Sequence, residues 1–191
     1  MTQEKNLSAL ESLQVITEAI SKTKEDFKEN SFYFMLWGWL IALASFSFFV
    51  LHQYTAFQYY FLPFPVLVAA GIITTLTWFF KRKSAHPTEG YLNYFLSRMW
   101  LVIGISFIIM VFVAVSQKLQ PFLFTLIIAA MGTLVSGLAM KFKPLITGGI
   151  LFFIAAVIGL YIPAGYQPAL FGTAIIAGYL IPGYLLKSAK I

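Results

Sequence analysis

Few residues of this chain have side chains that could do chemistry, and they stand far apart. The 191 residues include 7 Asp and Glu, 2 His and no Cys. Without cysteine there can be no disulfide, thiolate metal site or cysteine nucleophile. An apolar run of membrane length separates His52 from His86, so the two imidazoles cannot share a metal ion. The sequence contains no glycine-rich phosphate loop, Gly-x-Ser-x-Gly elbow or His-Glu-x-x-His motif.

One polar cluster, which precedes the third apolar run, consists of His86, Glu89, Asn93 and Arg98. Glu89 and Asn93 lie one helical turn apart after Pro87, where helix capping and interfacial anchoring explain them better than catalysis. The apolar runs contain no internal Asp, Glu, Lys, Arg or His, although such groups mark proton pathways and intramembrane active sites. We therefore predict no enzymatic activity, catalytic residue, cofactor or metal site.

The elements that position these residues are long apolar segments. The chain is 60% hydrophobic and only 10% charged, whereas soluble domains carry about 25% charged residues. Each apolar run has the roughly 20 residues that a helix needs to cross a bilayer. The expected fold is an all-α integral membrane protein, a bundle of six transmembrane helices. The runs cover residues 31–51, 60–80, 98–116, 121–140, 144–162 and 167–186.

The basic residues predict the orientation of these helices. All Lys and Arg except Lys118 fall in the N-terminal segment, the second and fourth loops, or the C-terminal tail. Because basic loops stay in the cytoplasm, this pattern predicts three hairpins with both termini cytoplasmic. The four tryptophans lie near the predicted cytoplasmic ends, as interfacial anchors would. Because the basic clusters directly follow apolar runs, we expect them to contact lipid headgroups and not nucleic acid.

A weak internal repeat relates the first two hairpins. The spacing of Asn30, Phe32 and Trp37 recurs in Asn93, Phe95 and Trp100, and that of Ala69, Ala70, Lys81 and Lys83 recurs in Ala129, Ala130, Lys141 and Lys143. A tandem duplication of helix pairs would produce this pattern. The alternative is that membrane interfaces favour aromatic residues at one end of a helix and lysine at the other.

Residues 1–30 form the first predicted unit, a cytoplasmic amphipathic helix, and residues 31–191 form the transmembrane domain. Ser8 and Glu11 have the spacing of a capping box. Glutamates recur every seventh residue on the face opposite an apolar stripe, so an anionic lipid surface is a poor host for this helix. It would dock on protein, either its own bundle or a partner. The stripe consists of Leu13, Ile16, Ile20 and Phe27.

Small residues spaced by four positions predict close helix packing in the last three runs. Such pairs favour packing within one bundle, and a seam between copies of the chain is the alternative. Pro182-Gly183 is a further local weak point that predicts a bend. The candidate packing residues are Gly132, Ser136, Gly137, Ala155, Gly159 and Gly178.

Three stretches resemble an uncharacterised family of small six-span bacterial membrane proteins. They are Phe34-Met35-Leu36-Trp37-Gly38-Trp39, Lys141-Phe142-Lys143-Pro144-Leu145 and Ile181-Pro182-Gly183-Tyr184-Leu185-Leu186-Lys187. The resemblance covers nearly the whole chain and implies the same membrane fold and a location in the bacterial inner membrane. It implies no known activity and no functional residues.

Two functions remain open from the sequence. The favoured one is a non-enzymatic interaction or regulatory component whose partners are membrane lipids and either another protein or a second copy. The alternative is a small transporter or channel for a neutral or hydrophobic solute, which would require a cavity lined by hydroxyl groups. Those hydroxyls could instead bond to their own helices. They belong to Thr74, Thr75, Thr77, Ser106, Thr125, Thr133, Ser136, Thr147 and Thr173.

Overall fold

The computed structural model describes the backbone of residues 9–85 and 91–189, and the side chains of residues 30–81 and 91–189. Every regular element within these ranges is helical, which confirms the predicted all-α class for this part of the chain. The elements are α1 (Ala9–Tyr54), α2 (Pro63–Ala85), α3 (Tyr91–Ser116), α4 (Phe122–Ala139), α5 (Lys143–Gly159), a 3-10 turn (Ala164–Tyr166), α6 (Gln167–Ile175), a π-helical turn (Ile176–Leu180) and α7 (Ile181–Ser188).

Among the described residues, five helical segments are long and apolar enough to cross a membrane. The sixth apolar helix, α5, has 17 residues and is shorter than the other five. Several apolar helices of membrane length were expected, and that expectation is confirmed. The count of six spans stays a prediction. The five segments are Asn30–Tyr54, Pro63–Lys81, Tyr91–Ser116, Phe122–Ala139 and Ala164–Ser188.

Helix α1 runs without a break through 46 residues. At 1.5 Å per residue it is about 70 Å long, more than twice the roughly 30 Å hydrocarbon thickness of a bilayer. The composition changes from polar to apolar near residue 30, but the backbone stays helical across this point. The predicted boundary between the two units therefore lies inside one helix. The side chains of Leu13, Ile16, Ile20 and Phe27 lie outside the described residues.

The core of the bundle consists of α1, α4, α5 and the last helical segment. α1 contacts α2, α6, the π-helical turn and α7, while α4 and α5 form the most extensive contact between two helices. In α4, 50% of the residues are buried. Of the 18-residue apolar stretches in α2 and α3, only 6% of the residues are buried in each. The second and third helices therefore lie at the periphery, each held mainly by one neighbour.

Each of the first two hairpins is closed by a tryptophan ring on a glycine. A Cβ atom on Gly71 of α2 would lie 3.0 Å from Cη2 of Trp37 in α1. A Cβ atom on Gly132 of α4 would lie 2.9 Å from Cη2 of Trp100 in α3. These distances are too short for any side chain larger than hydrogen without a shift, so both glycines let an indole approach the helix backbone.

The same contact extends to a second residue and to the third hairpin. Leu40 lies beside Trp37 against the first glycine, and Ile103 lies beside Trp100 against the second. In the third hairpin, the ring of Phe152 takes the place of the indole, with its Cε1 2.5 Å from where a Cβ atom on Gly178 would lie. An aromatic ring on a glycine of the next helix is therefore common to all three hairpins.

Two helices end with lysine in the left-handed backbone region. Lys118 has φ 58° after α3, and Lys141 has φ 52° after α4. The Leu119 N–H then donates to the carbonyl of Ala114 at 2.8 Å, and an equivalent bond closes α4. This is the Schellman arrangement, in which glycine usually occupies the left-handed position because an L side chain is strained there.

Candidate functional site

The π-helical turn Ile176–Leu180 interrupts the last helical segment, and turns of this kind occur frequently at functional sites. Pro182 follows it closely and cannot donate a hydrogen bond to the carbonyl four residues earlier, that of Gly178. This carbonyl oxygen lies against α5, 2.5 Å from where a Cβ atom on Gly148 would be. The proline explains the irregular turn, and the glycine in α5 makes room for the displaced backbone.

Tyr179 lies on this turn and is buried at the point where four helices converge. Its ring centroid is 5.3 Å from that of Phe34 in α1, 6.1 Å from that of Trp100 in α3 and 5.4 Å from that of Phe152 in α5. Its hydroxyl lies against the hydroxyl of Thr133 in α4. The irregular turn thus directs one large amphipathic side chain into the middle of the bundle.

The indole of Trp100 belongs to the same cluster. Its Nε1–H donates to the hydroxyl of Ser136 in α4 at 3.1 Å, and Ser136 is fully buried. Thr133, one turn away, donates to the carbonyl of Ala129 at 2.7 Å. The indole of Trp100, which the sequence predicts near the cytoplasmic interface, lies in the packing between α3 and α4.

These contacts define a candidate site, the Tyr179 cluster, composed of Phe34, Trp100, Thr133, Ser136, Phe152 and Tyr179. Its polar groups are two aliphatic hydroxyls, a phenol and an indole N–H, with no carboxylate, amine or imidazole among them. Such groups donate and accept hydrogen bonds but supply no strong acid, base or metal ligand near neutral pH. The arrangement is therefore suited to fixing helices or binding a neutral polar group.

An asparagine pair lies one to two helical turns from this cluster. Nδ2 of Asn30 in α1 donates to Oδ1 of Asn93 in α3 at 2.8 Å. The sequence grouped Asn93 with His86, Glu89 and Arg98. In the structure Asn93 bonds to Asn30, a residue of α1 that was not in that group. The Arg98 guanidinium instead lies over the ring of Tyr94, 5.3 Å from its centroid. The first two members of that group lie outside the described residues.

The predicted packing residues all lie in buried positions of the bundle. Gly137 faces α5, and a Cβ atom on it would lie 2.6 Å from the backbone nitrogen of Ile146. Gly159 lies against the side chain of Leu123 in α4. These glycines thus face helices of the same chain. The buried set is Gly132, Ser136, Gly137, Ala155, Gly159 and Gly178.

The hydroxyl groups that a solute pathway would need do not line one common space among the described residues. Thr77, Thr147 and Thr173 are exposed on different helices. The hydroxyl of Thr75 is buried without a hydrogen-bond partner in this part of the chain. The hydroxyls that bond to a carbonyl of their own helix belong to Thr74, Thr77, Ser106, Thr125, Thr133, Thr147 and Thr173.

No group of three or more His, Asp or Glu side chains within the described ranges could hold a metal ion. No protein-family model, curated protein or solved structure matches this chain. The resemblance carried by the three stretches stays a prediction.

Proposed function

We propose that this chain is a six-span protein of the bacterial inner membrane that has no enzymatic activity and acts as an interaction or regulatory component. Large apolar side chains cover the peripheral helices. In α3, Val102 is 62% exposed, Ile108 63% and Phe112 73%. Exposing such surface to water costs about 25 cal/mol for each Å². Lipid is therefore the better solvent for this surface.

The short helix α5 fits the proposal as the remaining span. Its 17 residues extend about 25 Å, slightly less than the hydrocarbon thickness. α5 packs against α4 and the last helical segment, so much of its surface meets protein and not lipid. With six spans, all Lys and Arg except Lys118 lie on one side, which supports cytoplasmic termini.

The unbroken path of α1 carries the proposed interaction role. The membrane-length part begins at Asn30, yet the helix already begins at Ala9. About 20 residues of continuous helix therefore project from the cytoplasmic side, equivalent to about 30 Å. A projecting helix that is continuous with a core span is fixed in direction, which suits it to dock on another molecule.

The chemistry of this projection favours a protein as its host. Burying each of the side chains of Leu13, Ile16, Ile20 and Phe27 contributes about 1.5–3 kcal/mol, so the stripe has a strong tendency to leave water. The glutamates on the opposite face repel an anionic lipid surface. A groove on a partner protein satisfies both requirements.

Site-specific photo-crosslinking in cells tests this role. A photo-crosslinking residue at Ile16 lies on the stripe, and the same residue at Glu18 lies on the acidic face as the matched control. We expect one discrete adduct with another protein from the stripe position and none from the control. The double variant Leu13→Asp, Ile20→Asp should abolish the adduct while the bundle keeps its thermal stability.

Three results would overturn the proposal. Adducts with lipid alone would place the stripe on the membrane surface. Equal adducts from Ile16 and Glu18 would show nonspecific contact. Loss of thermal stability in the double variant, with adducts only within the chain, would show that the projection packs on its own bundle.

A further inference from the structure

Two of the contacts between hairpins are equivalent, residue by residue. Leu134 of α4 lies on Gly149 of α5, with its backbone nitrogen 2.7 Å from where a Cβ atom on that glycine would be. Leu180 lies in the same way on Gly38 of α1, with its Cδ2 at 2.8 Å. Each of these leucines comes two positions after a glycine that an aromatic ring covers. The second hairpin therefore joins the third as the third joins the first.

A second glycine completes each contact, three residues after the leucine. In α4 it is Gly137, which faces the backbone and side chain of Ile146, three residues before the glycine of α5. In the last helical segment it is Gly183, which faces Met35, three residues before the glycine of α1. Both interfaces thus have a glycine on each helix, and such small residues let two backbones approach closely in a membrane.

The corresponding interface between α2 and α3 lacks both glycines. Counting five residues from Gly71, the ring-covered glycine of α2, gives Leu76 in place of the second glycine. The offset of 63 residues between α1 and α3 gives Leu101 in place of Gly38. Within the described ranges α2 and α3 make no extensive contact with each other, and these two leucines are 48% and 53% exposed. We call the opening between Leu76 and Leu101 the α2–α3 cleft.

Arg98 brings a positive charge to this cleft. It stands three residues before Leu101, which is the position of Met35 in α1 and of Ile146 in α5. In those two helices the side chain meets a glycine of the neighbouring helix, so Arg98 lies on the side of α3 that faces the cleft. Its guanidinium is 5.3 Å from the ring centroid of Tyr94, one turn nearer the start of α3.

Arg98 also lies deeper in the proposed membrane than Lys141. It is two residues from Trp100, whereas Lys141 is nine residues from Gly132, the glycine that Trp100 covers. The Cα atom of Arg98 is therefore about 10 Å nearer the membrane centre. The side chains that the structure describes include no Asp or Glu, so none of them neutralises the guanidinium. A charge at this depth is costly unless an anion pairs with it.

A lipid fits this combination of an apolar opening and one deep cation. We propose that the α2–α3 cleft binds one anionic phospholipid of the cytoplasmic leaflet, with its phosphate on Arg98 and an acyl chain between Leu76 and Leu101. A guanidinium binds phosphate oxygens through two parallel hydrogen bonds. The chain fills the space that these helices cannot close, because leucine replaces glycine on both. This inference rests on the proposed membrane insertion and not on docking of the N-terminal helix.

Native mass spectrometry of the full chain in detergent tests the headgroup. The probes are phosphatidylglycerol and phosphatidylcholine with the same acyl chains, added to delipidated protein. We expect one phosphatidylglycerol to be retained per chain, with an affinity about tenfold above that of phosphatidylcholine. Arg98→Gln should abolish this preference. Lys143→Gln is the matched control, because it removes an equal charge from an exposed position at the start of α5, and it should keep the preference.

Two tryptophan substitutions test the position of the acyl chain. Leu101→Trp fills the cleft and should weaken the binding of phosphatidylglycerol about tenfold, although Arg98 is retained. Val102→Trp adds the same side chain about 100° further around α3 and should leave the binding unchanged. Both positions are exposed, so thermal stability should stay the same in both variants.

Three results would overturn the proposal. Equal retention of the two lipids by the unaltered chain would show only the general lipid contact of a membrane surface. Equal losses for Arg98→Gln and Lys143→Gln would show a diffuse attraction to all basic residues. Equal binding by the two tryptophan variants would show that no acyl chain lies in the cleft. Binding in detergent depends neither on orientation in the membrane nor on the crosslink from Ile16, so each of these failures is distinguishable from a failure of the proposed function.

Discussion

Asn30 and Asn93 occupy matching positions in the first two hairpins, 63 residues apart, and their side chains are hydrogen-bonded to each other at 2.8 Å. Each lies two turns before the tryptophan that closes its hairpin. The two asparagines have the same place in the repeated pattern, so the first two hairpins contact each other through equivalent residues. This polar contact joins α1 to α3, which otherwise touch little.

The pair should be coupled in a double-mutant cycle. Asn30→Leu removes the donor and leaves the Asn93 carboxamide with one bond fewer, so the free energy of unfolding should fall. Polar contacts between membrane helices contribute about 0.6 kcal/mol on average and at most about 1.7. We expect a coupling energy in this range for Asn30→Leu, Asn93→Leu and the double variant, measured by unfolding in detergent. Strict additivity would show that the bond has no energetic role.

Replacing the buried indole tests the Tyr179 cluster. Trp100→Phe removes the donor to Ser136 and part of the ring that covers Gly132, so unfolding should become easier by about 1–3 kcal/mol. Trp39→Phe is the matched control, because its indole donates to the Tyr184 hydroxyl at 3.1 Å in an exposed position. That change should cost less than about 0.5 kcal/mol. Equal losses would remove the distinction between the two tryptophans.

Glycines of the bundle should differ in their tolerance of a methyl group. Gly137→Ala places a carbon against the backbone of α5, which has no side chain to move away, and should destabilise the protein by about 1–3 kcal/mol. Gly104→Ala meets open space and should stabilise its helix by up to about 1 kcal/mol through helix propensity. Thermal denaturation in detergent measures both. If Gly137→Ala keeps full stability, α4 and α5 have room for a methyl group between their backbones, and the close contact at Gly137 is not required.

The end of α3 offers a stabilising substitution. Lys118→Gly removes an L side chain from the left-handed region, where it costs roughly 1–2 kcal/mol, and the free energy of unfolding should rise. Lys118→Ala removes the same charge but keeps the strain and should give no gain. Comparable gains from both variants would indicate that the charge, and not the backbone, causes the effect.

The proposed topology can be tested with single cysteines in this cysteine-free chain. A membrane-impermeant thiol reagent applied to intact spheroplasts should label Gln117→Cys. The same reagent should reach Ser84→Cys and Ser188→Cys only after the membrane is opened. Labelling of residues 84 and 117 from the same side would contradict the orientation that the basic residues indicate.

The sequence predicted the helices well because the length of an apolar run is visible without tertiary information. The fourth run, 121–140, became α4 at Phe122–Ala139. The sequence could not show which ring meets which glycine, because that depends on the order and rotation of the helices. The position of Trp100 near the end of its run therefore did not show that its indole lies between α3 and α4.

The candidate site was only partly visible in the sequence. Pro182-Gly183 indicated a bend, but a proline does not determine whether the helix kinks or takes up an extra residue in a π-helical turn. That choice depends on Gly148 in another helix, which makes room for the displaced carbonyl of Gly178. Tyr179 had no signal of its own, since its position in the core follows from the turn.

The length of α1 has a mechanical consequence. In the proposed arrangement α1 is a rod held at one end, which acts as a lever whose cytoplasmic end moves further than its base for any change of tilt. The base of α1 contacts the π-helical turn and both helices beside it. Any force on the free end is therefore transmitted as torque to the least regular part of the bundle.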